Sequence, residues 1–524
     1  MIARIRLLGA ALMVLYVGLF VQLNRLQLFG AERLQEHEEN TRGLVREFGQ
    51  ERGDIVTADG VVVAMSVPFD DDIDYRRIYP EGELYAHVTG YQSLNVAATG
   101  LERAYNDELS GRNIEQQFRS LSDLFRDRDT TADLVLTIRD DVQRVARDAL
   151  GEQRGSVVAI DPRTGAVIAL WSYPSFDPNP IASPDGAEAN AAYEATLAEP
   201  GNPLLAKSFR EIYFPGSTFK LVTGSAGVSS GLIGTADPVF PVSDAYEPIP
   251  AGAPIRNFGG SSCGGDLLEI LRVSCNTAFA EMGAEWVGPQ LMIEVAEDFG
   301  FNSAPPFDVP GTAESRFPTD YGARLADVSF YRAPDVTEGE PDEGAEDVAV
   351  LANGDVDVYE DSARLAQASI GQNDVAATPL QMALVAAAVA NDGVIMAPHV
   401  VAELRAADGS VYDRTEPSEW RRAIDRHVAA IMHSGMLHVA ANGTSRNLLV
   451  PGYEVGGKTG TAQLGTDVPR SHAWIVGFAG PPGEPAEIAV AVLVEAQEGA
   501  DEQTGGRVAA PIARQVLEAA LAGP

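Results

Sequence analysis

In Phe214-Pro215-Gly216-Ser217-Thr218-Phe219-Lys220 a hydroxyl and an amine stand three residues apart. The pairing gains weight from how little lysine the chain uses. Of its 38 Lys plus Arg residues, only Lys207, Lys220 and Lys458 are lysines. Such a composition keeps a lysine mainly where arginine cannot substitute. A guanidinium is never deprotonated in a protein, whereas a buried lysine shifts its pKa readily and acts as a base. Two of the three lie in Ser217-x-x-Lys220 and in Lys458-Thr459-Gly460-Thr461, with Ser274-Cys275-Asn276 between them.

A serine hydroxyl is a poor nucleophile until an adjacent base takes its proton. Pro215-Gly216 is loop chemistry and the residues after it favour a helix, which predicts Ser217 at a helix N-terminus with its backbone N–H available to an oxyanion. Lys220 then lies on the same face, one turn deeper. Burial and a second cation lower a lysine's pKa, and Lys458 is the obvious second cation. Ser274 and Asn276, in a helical or loop-to-helix setting, offer a hydroxyl to relay a proton and an amide to hold a substrate amide. Val455 to Ala462 reads as an extended segment whose glycines permit close backbone approach. A strand edge there would pair with a peptide main chain and bring Lys458, Thr459 and Thr461 to a carboxylate. Alone, Ser-x-x-Lys is a solvated helix start and Lys-Thr-Gly could be a phosphate loop, although the P-loop spacing is absent. Their joint occurrence, in order, on two of three lysines argues for one assembled site.

The elements that must position these groups belong to a chain of 524 residues, long enough for two or three domains. Hydrophobic content of 45% and charged content of 22% fit a folded protein. The net charge of −37 argues against a nucleic-acid partner, which needs a basic surface, and suits a soluble exported domain or a proteome-wide bias. No metal-ligand spacing is present among the scattered histidines, and no cofactor motif is seen. Cys263 and Cys275 lie twelve residues apart; outside the cytoplasm they could form a disulfide bracing Ser274 and Asn276, and two free buried thiols are the alternative.

Arg4 and Arg6 precede an apolar run from Leu7 to Val21 that continues, with interruptions, to Leu28-Phe29. With its semi-polar extension it is expected to form a single-pass membrane anchor over residues 1–29, N-terminus in the cytoplasm and the rest outside; a cleaved signal peptide is the competing reading. Residues 31–49 suit a juxtamembrane helix or linker. Arg52 to Ala64 predicts a strand pair around Asp59-Gly60, Gly100 to Tyr105 a helical piece, Arg119 to Thr130 a loop and Ala132 to Ile138 a strand. Residues 30–150 thus form a small irregular α+β domain without chemistry of its own. Residues 151–524 read as a second domain. A strand hairpin at Ser156–Ile160 and Ala166–Trp171, strands at His472–Ala479 and Ile488–Ala496, and a last helix at 508–521 enclose a helical middle. They imply one mixed sheet with helices around it, α+β in class. The expected middle helices are 217–230, 267–286, 289–299, 361–368, 379–391 and 424–440, and the acidic stretch 335–360 is an exposed loop or insertion.

Ser-x-x-Lys, Ser-x-Asn and Lys-Thr-Gly together are the motif set of penicillin-binding proteins and serine β-lactamases, and over essentially its whole length the chain resembles a class B penicillin-binding protein. Arg52-Gly53-Asp54-Ile55 and Gly100-Leu101-Glu102 are similar to marks of that family's N-terminal pedestal. Arg154 to Pro162 with Thr164-Gly165 resembles the first hairpin of its transpeptidase domain; Gly371-Gln372, Thr378 to Ala383, His472-Ala473-Trp474 and Gly477-Phe478-Ala479 resemble further landmarks. The resemblance implies a membrane-anchored peptidoglycan D,D-transpeptidase in which Ser217 attacks the D-Ala-D-Ala end of a stem peptide. It implies Lys220 as base, Ser274 and Lys458 as proton relay and Asn276 as holder of the substrate amide. Thr459 and Thr461, flanking Gly460, would hold the carboxylate, and the N–H groups of Ser217 and Thr461 would form the oxyanion hole. β-Lactams would acylate Ser217, and a membrane glycan polymerase would be a partner. Ala58 after Thr57, where many members carry Asp-Arg after this Arg-Gly-x-Ile-x segment, and a short pedestal are more like the penicillin-binding-protein-A branch. Two rivals stand: a D,D-carboxypeptidase or β-lactamase using water as acceptor, and a non-catalytic β-lactam receptor or scaffold.

Overall fold

The structure is a computed structural model that describes residues 2–25, 48–69, 73–112, 131–249, 252–325, 358–464, 470–496 and 503–523. The juxtamembrane stretch, the loop expected at 119–130 and most of the acidic 335–360 stretch lie outside the described residues. In chain order the elements that matter here begin with α1 (Ile2–Arg25), β1 (Ile55–Val56), β2 (Val62–Pro68), β3 (Tyr75–Ile78), α2 (Gly100–Ala104), β4 (Ala132–Leu136), α3 (Asp140–Leu150), β5 (Gly155–Ile160) and β6 (Val167–Tyr173). There follow α4 (Lys220–Ser229), α5 (Leu267–Val273), α6 (Asn276–Glu281), α7 (Pro379–Ala390), β7 (Val401–Ala406), β8 (Val411–Arg414), α8 (Arg426–Asn442), β9 (Glu454–Gln463), β10 (Ser471–Gly480), β11 (Ile488–Val494) and α9 (Ala509–Leu521).

Residues 155–173 and 454–494 build a five-stranded sheet in the order β9-β10-β11-β5-β6. N- and C-terminal segments do meet in it, but the sheet is not the mixed one expected: every pairing is antiparallel. All seven residues of β11 are buried, as a strand must be when both sheet faces are covered. The helices α3 and α9 pack on each other and on the sheet, and α7 also lies against it. Gln143 on α3 fixes that docking: its side-chain amide donates to Leu170 O at 2.9 Å and accepts from Leu170 N at 2.8 Å. So α3, placed with the N-terminal domain by the boundary expected at 150, packs as part of the five-stranded sheet's cover.

The second sheet mixes directions, with β1 antiparallel to β2 and parallel to β4. Its order is β8-β7-β4-β1-β2-β3. Two of its six strands therefore come from residues 401–414, far inside the segment expected to be a separate domain. A buried ion triad ties its other end together. Glu102 on α2, fully buried, accepts from Arg52 Nη2 at 3.0 Å and from Arg77 Nε at 2.6 Å.

Three expectations need amendment. The run Leu267–Trp286 is not one helix: α5 ends at Ser274, whose φ of 62° and ψ of 46° are left-handed, and α6 starts afresh at Asn276. Ser217 lies not on the first turn of the long helix but in a single 3-10 turn, Gly216–Thr218, immediately before α4. A helix at Gly186–Ala198 and a small pairing of Phe240–Ser243 with Cys263–Gly265 were not anticipated. Among the described residues no helix is long and apolar enough to cross a membrane; α1 contains the expected apolar run, and part of its side chains lie outside the described residues.

Candidate active site

Ser217 is carried by a turn clamped on three sides. Tyr213 and Ala377 exchange backbone hydrogen bonds of 2.9 and 2.8 Å, Gly216 N donates to Gly371 O at 2.9 Å, and the buried Trp474 donates its indole N–H to Phe214 O at 3.0 Å. The turn lies directly against β9. A Cβ added at Gly460 would stand 2.8 Å from Pro215 O, and one at Gly371, where φ is +72°, only 2.1 Å from Gly216 O. Neither glycine can take a side chain without displacing the turn that carries Ser217.

Lys220, the first residue of α4, and Lys458, the fifth of β9, are fully buried. Lys220 Nζ donates to Ser274 O and to Asn276 Oδ1, both at 2.7 Å, and Lys458 Nζ donates to Ser274 Oγ at 2.8 Å and to Thr459 O at 3.0 Å. Ser274 is thus shared by both amines. Burial first, then the Lys458 charge, holds Lys220 well below the ordinary lysine pKa. Burial lowers Lys458 to about 7. No Ser217 Oγ–Lys220 Nζ hydrogen bond is formed among the described residues. A neutral amine has two hydrogens and one lone pair; with both hydrogens taken by Ser274 O and Asn276 Oδ1, the lone pair is what Lys220 has left to offer.

The left-handed Ser274 is an uncommon conformation for a residue with a side chain, of the sort found where function over-determines the backbone. Cys275 N bonds Ile270 O at 2.9 Å, and Asn257 Oδ1 accepts from the N–H groups of Asn276 and Thr277 at 2.8 and 3.1 Å. Cys263 and Cys275 are joined in a disulfide with a Cα–Cα distance of 5.8 Å. The middle residue of Ser274-Cys275-Asn276 is therefore covalently tied to the neighbouring strand.

β9 is the edge strand of its sheet, paired to β10 on one side only. Its free edge borders a cleft of about 990 Å³ lined by Ser217, Ser274, Asn276, Thr459 and Thr461 among others. Gly460 sits between the two threonines, and the Thr459 hydroxyl donates to Thr444 Oγ1 at 2.7 Å. The expected residues thus converge on one cleft. Lys207 does not join them: it is buried elsewhere, donating to Gly201 O at 2.9 Å with Glu211 and Glu495 nearby. Asn257 and Thr444 were missed. Each is a lone polar residue in a loop, and only the fold brings it to the motifs.

The depressed Lys458 pKa carries a stability consequence. Between about 7 and the ordinary value of 10.5, the folded chain binds fewer protons than the unfolded one, so stability rises with pH across that window. The cost of burying Lys458 is on the order of 4 kcal/mol at pH 7, offset in part by its two hydrogen bonds at about 1–3 kcal/mol each. Lys458→Met is expected to melt higher than wild type at pH 7, with the gap closing as the pH approaches 10.5. A gap that stays constant from pH 7 to 10 would refute a neutral buried amine.

The described penicillin-binding protein transpeptidase domain matches residues 155–518, and the penicillin-binding protein A dimerisation domain matches residues 52–135. The peptidoglycan D,D-transpeptidase PbpA of Mycolicibacterium smegmatis is 38% identical over 534 residues, covering 99% of this chain and 98% of the relative. The protein of the same name from Mycobacterium tuberculosis is 36% identical over 540 residues, covering 99% of both. Among solved structures, a ceftriaxone acyl-enzyme complex of penicillin-binding protein A from M. tuberculosis superposes with a TM-score of 0.76 at 34% identity, covering 91% of this chain and 100% of that one. A penicillin G acyl-enzyme complex of that protein gives 0.75, at 34% identity and 90% and 99% coverage.

Proposed function

The chain belongs to the class B penicillin-binding proteins, and on that premise we propose that the cleft beside β9 runs a serine acyl transfer with Ser217 as nucleophile. The protein is a peptidoglycan D,D-transpeptidase. The observation that carries the residue assignment is the pair of buried lysines converging on Ser274 beside a serine held at a strand edge.

A stem peptide would lie along the free edge of β9, its scissile carbonyl oxygen received by the N–H groups of Ser217 and Thr461. Neutral Lys220 takes the Ser217 proton as Oγ bonds to the carbonyl carbon, a contact that unliganded enzymes often leave long. The peptide C–N bond then breaks. The leaving D-alanine amine collects a proton through Ser274 and Lys458, whose hydroxyl and amine are already hydrogen-bonded, and the acyl group remains as an ester on Ser217. An acceptor amine attacks that ester, gives up a proton along the reverse path, and restores the Ser217 hydroxyl as the cross-link forms. Asn276 orients the substrate amide. Thr459 and Thr461 face the carboxylate, and Gly460 between them keeps the strand close to the nucleophile's turn. A β-lactam follows the first half of this path and stops at the ester.

Product analysis separates cross-linking from simple hydrolysis. Incubated with a D-Ala-D-Ala stem peptide and an amine acceptor, the protein is expected to release D-alanine and form mainly the amide-linked dimer. Product consisting only of the shortened peptide acid would mean water is the acceptor, and acylation without release of either product would favour a receptor.

We also place the protein at the cytoplasmic membrane, with α1 as a single-pass anchor over residues 1–29 and the catalytic part outside. The support is the exposed apolar surface of α1, where Leu12, Val14, Leu15, Leu19 and Phe20 are all more than half exposed, a surface that suits lipid better than water. Deleting residues 1–29 should move the protein from the membrane pellet to the supernatant; retention in the pellet after a carbonate wash would refute the anchor. The pedestal over 30–150 and the transpeptidase part over 151–524 are proposed as the two functional regions, with a membrane glycan polymerase as the pedestal's partner. Its test is co-purification, lost when the 52–135 region is replaced.

A further inference from the structure

About one residue in seven of this chain is Asp or Glu, 75 of 524, yet among the described residues none lines the cleft, while Arg256, Arg446 and Arg507 do. Among the described residues, this cleft of an acidic protein carries arginines and no carboxylate. Arg256 faces Asp244 at 3.4 Å. Arg446 and Arg507 have no carboxylate partner among the described residues, although surface arginines elsewhere in the chain are commonly paired.

The two come from segments 61 residues apart that are bolted together. Asn447 Nδ2 donates to Gly506 O at 2.7 Å, and a Cβ on Gly506 would stand 2.5 Å from Thr444 O. Thr444 in turn accepts the Thr459 hydroxyl. Arg446 and Arg507 therefore rise beside the Thr444–Thr459 hydroxyl pair, at the end of the β9 edge nearest Lys458. Resting on the acyl-transfer reading above, that is the leaving-group side. The relay of Ser274 and Lys458 must meet the departing amine, whereas the turn carrying Ser217 touches β9 near Thr461, where a Cβ on Gly216 would lie 2.9 Å from Thr461 O.

We propose that Arg446 and Arg507, with the Thr444–Thr459 pair, form a carboxylate station that draws in and orients the terminal carboxylate of the leaving D-residue, and of a β-lactam that mimics it. Two guanidiniums with no acidic partner among the described residues supply a positive local field that the chain's net charge would otherwise oppose, and their planar donors match a carboxylate. They act as specificity-determining groups; the bond-making steps stay with Ser217, Lys220, Ser274 and Lys458.

The test compares the full-length protein in detergent with Arg446→Ala/Arg507→Ala and with Arg507→Lys. The reading is the second-order rate of acylation by penicillin G as its free acid and as its methyl ester. Loss of charged hydrogen bonds predicts a fall of roughly 10- to 100-fold for the acid in the double variant, with the ester within about 2-fold and part of the rate kept by Arg507→Lys. The penalty should shrink at high salt, since screening weakens the wild-type advantage. Equal losses for acid and ester, or no loss for the acid, would overturn the station. A stem-peptide arm assigns the carboxylate: the penalty should persist when interior carboxylates are amidated and vanish when only the C-terminus is. The opposite pattern would mean an interior carboxylate is bound and would overturn the assignment. A wild type that takes neither form of penicillin defeats the acyl-transferase reading, and the station with it.

Discussion

Ser217→Ala will carry no covalent adduct after incubation with penicillin, where the wild-type chain gains the whole mass of the antibiotic. The gain is the whole mass because the opened lactam keeps its amine attached to the acyl group; one C–N bond breaks, one C–O ester forms, and nothing leaves. The loss is expected to be complete within detection, since removing a nucleophile costs a serine enzyme on the order of 10⁶ in rate. Ser217 is only half buried and sits in a turn held by the Gly216 N–H donating to Gly371 O and by the Trp474 indole N–H donating to Phe214 O, so the variant's stability should lie within about 0.5 kcal/mol of wild type. A persisting adduct on a folded Ser217→Ala protein would move the nucleophile elsewhere.

Lys220 carries the second large effect. Lys220→Ala should slow acylation by roughly 10²- to 10⁴-fold, the usual worth of a general base. Its signature is in the pH profile. The wild-type rate should rise with pH through the lowered Lys220 pKa, because only the neutral amine can accept the Ser217 proton; the variant should lose that limb. Lys220→Arg is the sharper control. It sets a permanent charge in much the same volume and cannot lose a proton, so it should be as slow as alanine. An arginine variant with near wild-type rates would show that Lys220 serves as a fixed charge and not as a base.

The groups proposed to do the chemistry are legible in the sequence because lysine is so scarce. Lys220 and Lys458 stood out among 38 basic residues, and the motifs around them located Ser217 and Ser274. The strands of the five-stranded sheet are equally visible, since Val157–Ile160 and Ile488–Val494 are continuous apolar runs of the kind a doubly covered sheet needs. The break at Ser274 was not visible. The residues from Leu267 to Trp286 favour a helix throughout, and only tertiary restraint on Cys275 and Asn276 forces the left-handed turn that aims Ser274 at both amines. Asn257, Thr444, Arg446 and Arg507 escaped for a related reason: single polar residues in loops carry no periodicity, and their meaning lies in what the fold sets beside them. Pairing of β7 with β4 was out of reach too, because Val401 and Leu136 are joined by a register that no local pattern encodes.

That last pairing bears on the order in which the protein can be assembled. A chain made from its N-terminus presents β4 long before residues 401–406 exist to lie beside it, and β5 long before β11 arrives at residues 488–494. Both sheets therefore pass through a stage with an open, hydrogen-bond-hungry edge, the condition under which strands recruit foreign partners. Both sheets close late, the mixed one when residues 401–406 arrive and the five-stranded one when residues 488–494 follow. Until the last quarter of the chain has emerged, there is neither a finished platform nor a finished enzyme, and a truncated product would have neither half to fall back on.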